Sequence, residues 1–359
     1  MNKLMIPLLA LVAGCTMPYR PALLTEPGQF PGLIDFAAQS ASKRADVIVV
    51  HGMCTHDASW AAETVDILAQ QLGANAGTSP GPGLRAALGG VEVIPESVNT
   101  PAGELRFKAL LWSPLTTPLK QQLCYDQTSK SGICTGTPPF TPKRAKLNAR
   151  VKDWLVDDCF PDALIYQGVA RDQIRAAMRD AILRATSDAD PAAPLIVIAE
   201  SLGSKILFDT LLEMTEQPDT RSTAMQTVNR IAYLIMGANQ IPLLSLADQP
   251  LYNGALAATA SGDSLQKLLQ KRAPSDKQRR APQRLTLVAF TDPNDVLTYT
   301  LLKARYAAEG VAVHNVLVSN APTWFGLIEM PDRAHVDYLV NPDVGRMISC
   351  GEPKSALCK

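Results

Sequence analysis

Apolar and polar positions along the chain fall into two kinds of run. Ala45-Asp-Val-Ile-Val-Val50 is a nearly continuous β-branched stretch. A parallel strand covered on both faces needs such a run, because neither face meets water. Leu195-Ile-Val-Ile198 has the same character, and so do Ile231–Met236, Leu285–Phe290 and Val311–Val318. Val91–Val98 and Leu105–Trp112 read as two further strands. Between these runs the spacing becomes helical. Trp60, Val65, Leu68 and Leu72 recur along Ser59–Leu72, and Lys143–Leu155, Arg171–Arg184 and Ser204–Met214 are also expected to be helices. Strands alternating with helices predict an α/β fold: a mostly parallel central sheet with helices on both faces.

Two segments break the alternation. Residues 16–43 hold Pro18, Pro21, Pro27 and Pro31 and are expected to form a tether ahead of the folded body. Residues 259–284 hold Lys267, Lys271, Arg272, Lys277, Arg279, Arg280 and Arg284 and read as an exposed, solvated insertion.

Composition narrows the class. With 47% hydrophobic and 19% charged residues, the 359-residue chain carries enough apolar material for one large domain and is not a disordered polymer. Thirty-four Lys and Arg balance thirty-four Asp and Glu, which removes the basic footprint of a nucleic-acid binder. Beyond the first fifteen residues, no apolar run approaches the ~20 residues of a membrane-spanning helix.

The first fifteen residues have their own logic. Lys3 precedes an apolar stretch from Leu4 to Ala13, which has the build of a secretory signal. The stretch ends Leu11-Val12-Ala13-Gly14-Cys15 and resembles the lipobox of bacterial lipoproteins. The resemblance implies removal of residues 1–14 and acylation of Cys15, hence a lipid-anchored protein of the bacterial cell envelope. Thr16, where Asp would signal inner-membrane retention in enteric bacteria, favours the outer membrane. The remaining six cysteines are an even number, as expected of an exported, disulfide-bonded chain. Cys124 with Cys134 and Cys350 with Cys358 are close enough to close single loops, which leaves Cys54 and Cys159 to each other. No Cys-x-x-Cys pair and no His/Cys cluster suggests zinc, and neither metal nor cofactor is expected.

The segment richest in chemistry is Leu195-Ile-Val-Ile-Ala-Glu-Ser-Leu-Gly-Ser204. A strand runs into Ala199-Glu200-Ser201-Leu202-Gly203, and a helix follows at once. This resembles the nucleophile elbow of the α/β-hydrolase superfamily, G-x-S-x-G, with Ala199 in place of the first Gly. A serine on so sharp a turn needs small residues two before and two after it. It also sits at a helix N-terminus, where amides and dipole favour developing negative charge.

The resemblance assigns the remaining roles. His51-Gly52, directly after the first strand, resembles the family's oxyanion strand end, with His51 and Gly52 structural and the amides of Met53 and Leu202 as donors. His335, beyond the last strand, is the expected base. His314 lies within a strand and His56 begins a helix, so neither is favoured. The acid belongs in the loop after Leu285–Phe290, where Asp295 is preferred and Asp292 competes.

The resemblance spans about residues 45–345. From His51 to Ser201 the chain is longer than the family core needs, so residues of about 113–190 are expected to form a cap, with Cys124–Cys134 and the helices around Trp154 and Arg171 as candidate acyl-pocket lining. Asn239 and Gln240 follow a strand end and are candidates to meet substrate. These readings divide the chain into a signal (1–14), a lipidated tether (15–43), a hydrolase domain (44–348) and a Cys-containing tail (349–359). The expected activity is a serine carboxyl-ester hydrolase, esterase- or lipase-like, acting on an ester or lipid-like small molecule. The alternatives are an acyltransferase of the same fold and a catalytically silent binding protein.

Overall fold

The structure, a computed structural model, describes residues 15–74, 90–128, 132–140, 142–249, 262–272, 284–308 and 310–358. The expected signal (1–14) and Lys277, Arg279 and Arg280 lie outside the described residues.

The apolar runs do form one sheet. Its strands are β2 (Leu23–Leu24), β3 (Arg44–Val50), β4 (Glu92–Thr100), β5 (Gly103–Leu111), β6 (Leu195–Glu200), β7 (Ile231–Gly237), β8 (Leu285–Thr291) and β9 (Val311–Leu317). They lie in the order β2-β9-β8-β7-β6-β3-β5-β4. The six central strands are mutually parallel, while β2 and β4 add antiparallel edges. Alternate residues feed two apolar layers. Ile48, Val50, Val197 and Leu234 face the helices Arg171–Thr186, Ser201–Glu216, Pro218–Arg230 and Ser264–Lys271. Val47, Val49, Ile196 and Ile235 face Leu33–Gln39, Ala58–Gln71 and Pro342–Cys350. A fully buried strand has no polar face, which accounts for the unbroken apolar runs.

Strand order reverses direction between β3 and β6, since the chain leaves β3 toward one edge and β6 toward the other. Open parallel sheets place their sites beyond the carboxyl ends of strands at such a switch point. Here those ends are His51-Gly52 and Ser201.

Four expectations need correction. Residues 15–43 do not form a free tether: Leu23–Leu24 pair with β9, and Leu33–Gln39 is a helix burying Leu33, Ile34, Phe36 and Ala37. Those apolar side chains outweigh the prolines, which occupy the irregular turns. The supposed cap is shorter than 113–190. Arg171–Thr186 turns Ile174, Met178, Ala181, Ile182 and Ala185 into the core at helical spacing, so it belongs to the helical layer. The excursion beside the strand ends therefore runs from Ser113 to Gln167, and its expected helix is a short one, Lys146–Arg150, continuing as a π-helical stretch, Val151–Cys159. Within the supposedly solvated insertion, Ser264–Lys271 is an amphipathic helix burying Leu265, Leu268 and Leu269. At the other end, Pro342–Cys350 crosses the boundary drawn at 348, and the tail folds back so that Glu352 pairs with Phe30. All three disulfides, Cys54–Cys159, Cys124–Cys134 and Cys350–Cys358, are formed.

Candidate active site

β6 ends at Glu200, and the helix Ser201–Glu216 begins at the next residue. The turn between them forces Ser201 to φ +48°, a left-handed conformation that a residue with a side chain adopts only under constraint. The neighbours explain the small residues around it. A methyl group on Gly203 would collide with the His51 carbonyl, and one on Gly52 would lie 2.8 Å from Cβ of Ser201. Ala199 is fully buried in the strand, where its methyl group is accommodated.

The turn aims Ser201 at His335. Oγ of Ser201 lies 3.1 Å from Nε2 of His335. Nδ1 of His335 lies 3.0 and 2.9 Å from the two oxygens of Asp295. With Nδ1–H donated to the carboxylate, Nε2 is left to accept the serine hydroxyl. Asp295 also accepts from the Tyr338 hydroxyl at 3.1 Å and the Leu297 amide at 3.0 Å, which satisfies a carboxylate buried away from water. Ser201 is 2% exposed and His335 5% exposed, so the line of hydrogen bonds is nearly dry.

Asp292 lies elsewhere. Its two oxygens accept from the amides of Asn294 at 2.9 Å and Asn320 at 2.6 Å, and its carboxyl is hydrogen-bonded to that of Glu329. Burial, then the adjacent Asp292 charge, pushes Glu329 up to about 7, and burial raises Asp292 as well. Glu329 further accepts from the Ala321 amide at 2.9 Å and the Asn294 side chain at 2.8 Å. Of the two candidate acids, only Asp295 touches the imidazole.

On the other side of Ser201, His51 is held in one tautomer. Its Nε2 accepts the amides of Trp112 at 3.0 Å and Ser113 at 3.3 Å, leaving Nδ1–H to donate to the Gly52 carbonyl at 2.8 Å. The ring stacks on Trp112, and burial holds its pKa well below the ordinary histidine value. His51 is thus a neutral brace, and His56 packs beside it; Asp57, not His56, caps the helix. Met53 follows Gly52 in this braced loop. Leu202 is the second residue of its helix, so its amide belongs to the first turn that no intrahelical carbonyl satisfies.

Asn239 spends its side chain on the Tyr299 carbonyl and the Ile241 amide. Gln240 reaches His335 Nε2 at 3.4 Å, beside the serine. Trp154 lines an apolar seam with Leu147, Leu155 and Met330, next to the helix Pro331–Val336 that carries His335. Arg171 instead lines a charged cleft with Arg175, Asp248 and Lys267, which includes neither Ser201 nor His335. His314 is half-buried against Phe30.

Three contributors escaped the sequence reading: Tyr338, Trp112 and Glu200. Tyr338 stands three residues after His335, within reach of a search along that segment. Glu200, next to the serine, has no hydrogen-bond partner among the described residues, and burial pushes it up to about 8. Its neutral form is therefore the one present near neutral pH.

Comparison with family models, curated proteins and solved structures gives no match to this chain.

Proposed function

We propose that the chain is a serine carboxyl-ester hydrolase of the α/β-hydrolase superfamily, anchored through acylated Cys15 to the bacterial envelope, most naturally the outer membrane. The carrying observation is the unbroken line from Ser201 to His335 to Asp295, assembled from three separate segments of chain. Oγ of Ser201 attacks the ester carbonyl as Nε2 of His335 takes its proton. Asp295 orients the ring and stabilises the imidazolium, while the amides of Met53 and Leu202 receive the oxyanion. His335 then protonates the departing alcohol, and the acyl group stays on Ser201. A water molecule, deprotonated by the same imidazole, releases the acid and restores the serine. None of these steps calls for a metal or cofactor.

A second reading is supported by the dryness of Ser201 and His335: an alcohol could intercept the acyl-enzyme in place of water, giving acyl transfer. Both readings need the same nucleophile. The purified protein should be labelled by a fluorophosphonate and should cleave p-nitrophenyl esters, with a preferred acyl length read from the series. Ser201→Ala should abolish both. A wild-type protein that neither labels nor turns over sinks the enzyme reading, and added acceptor alcohols report the transfer fraction.

A further inference from the structure

Cys15 does not hang free. With Thr16 it forms β1, which pairs with β10 (Thr323–Trp324), so that Cys15 stands opposite Trp324 and Thr16 opposite Thr323. The two threonine hydroxyls are 2.7 Å apart, and the Thr323 hydroxyl also donates to the Thr16 carbonyl at 2.9 Å. Beyond Trp324 the chain reverses through Phe325 and Gly326, at φ +52° and +66°, and returns so that the Trp324 amide donates to the Ile328 carbonyl at 2.8 Å.

Such turns ordinarily carry polar residues. This one reads Trp324-Phe-Gly-Leu-Ile328, without a charge. Trp324 is 49%, Phe325 56%, Leu327 86% and Ile328 46% exposed. Four large, exposed apolar side chains within five consecutive residues of one turn are a grouping of the kind soluble surfaces avoid. No packing role accounts for them, since the hairpin's base is held by Glu329 and Asn320.

We infer that this tip inserts into the lipid bilayer beside the acyl chains on Cys15, as a second anchor that fixes how the site faces the membrane. The inference rests on the lipid-anchor part of the reading above. The bilayer is the occupant because the ladder holds the point of acylation one strand spacing, about 5 Å, from Trp324. Acyl chains attached there must enter the membrane where the tip is. Tryptophan is also a side chain suited to the headgroup boundary, and Phe325 and Leu327 are apolar enough to enter the acyl region. Glu329, next after Ile328, is bonded to the Ala321 amide and to the Asn294 side chain, which links the tip to the loop that carries Asp295. The helix bearing His335 begins three residues after Ile328. A tip seated in lipid therefore turns the acid–histidine edge of the site toward the bilayer, which suits esters presented there.

The test uses the full protein, extracted with its native N-terminus and reconstituted into phosphatidylethanolamine–phosphatidylglycerol vesicles with or without brominated acyl chains. Brominated lipid should quench part of the tryptophan emission. Trp324→Phe should remove the quenched component, and Leu327→Asp should reduce quenching of Trp324 while leaving acylation intact. Both variants should hydrolyse a short, water-soluble ester at the wild-type rate, since neither residue meets the reacting atoms. Quenching that is absent, or equal in wild type and Trp324→Phe, overturns the inference. So does a Trp324-dependent dimer in detergent with no quenching, which would give the tip to a second copy. The mass of the N-terminal peptide separately reports acylation, and an unmodified Cys15 also overturns it. Quenching in a protein that hydrolyses no ester would leave the membrane contact standing and remove only the hydrolase reading.

Discussion

The two walls that flank Ser201 are built by different means. The wall from His51 to His56 is clamped by covalent and ionic ties. Cys54 is bonded to Cys159, and its amide donates to Asp162 at 2.9 Å. Asp162 in turn receives the fully buried Lys120 at 3.1 Å, which also meets Asp158 at 2.8 Å. The opposite wall, from Asp292 to Tyr338, has no disulfide and no buried Lys or Arg among its described residues. It is held by hydrogen bonds among groups that can titrate: Asp295 with His335 and Tyr338, and Asp292 with Glu329. The difference follows the division of labour in the proposed mechanism. Oxyanion donors act as fixed dipoles and gain from rigidity. Proton-transfer groups need matched affinities more than stiffness.

The comparison breaks first at its most demanding point. Asp295→Asn should lower kcat about 10⁴-fold, because the amide favours the wrong imidazole tautomer. Asp292→Asn should retain most activity, since Asp292 touches Asn320 and Glu329 and not His335. Ester turnover of the two variants decides it, and the reverse result would exchange their roles.

Next in size is the clamped wall. Lys120→Met leaves the buried Asp162 and the half-buried Asp158 without their cation and should cost about 3–5 kcal/mol. Burial already pushes Asp162 up to about 6 with Lys120 beside it, and removing the cation raises it further. A raised carboxyl stabilises the fold only while protonated, so the deficit should be larger near pH ~8 than near pH ~5 in urea titrations. A deficit independent of pH would mean that the lysine acts through packing alone.

The smallest effect belongs to the hydrogen-bonded wall. Glu329 titrates at 4.5 when unperturbed and at about 7 in the fold, so the folded chain keeps the proton that the unfolded chain loses. Its contribution is complete below the lower value and is lost as pH rises through the upper one. Glu329→Gln cannot ionise and should flatten that decline. Equal pH slopes of Tm for variant and wild type would show that Glu329 is not raised in the fold.

Much of the frame was legible because it depends on neighbours in the chain. β3, β6, β7 and β8 were readable from nearly continuous apolar runs, β9 from one interrupted by His314 and Asn315, and the turn at Ser201 from small residues set two either side of it. The misreadings share one cause. Pro18, Pro21, Pro27 and Pro31 are local signals of irregular chain, whereas the burial of Phe30, Leu33, Ile34 and Phe36 against the sheet is announced by no local spacing. The helix Arg171–Thr186 was assigned to a cap because the length between strands says how much chain there is and not which surface it covers. Lys120 and Asp162 are 42 residues apart, and nothing in either segment marks the other.

What the sequence determined by itself was the alternation of strands and helices, the sharp turn at Ser201 and the candidates for each role. Short-range sterics and burial periodicity act over a few residues and are written in their order. Only the tertiary structure decided that Asp295 and not Asp292 meets His335, that Tyr338 and Gln240 join them, and that Cys15 stands beside the apolar tip at Trp324. Those are distances between segments far apart in the chain, set when two apolar faces close on one sheet.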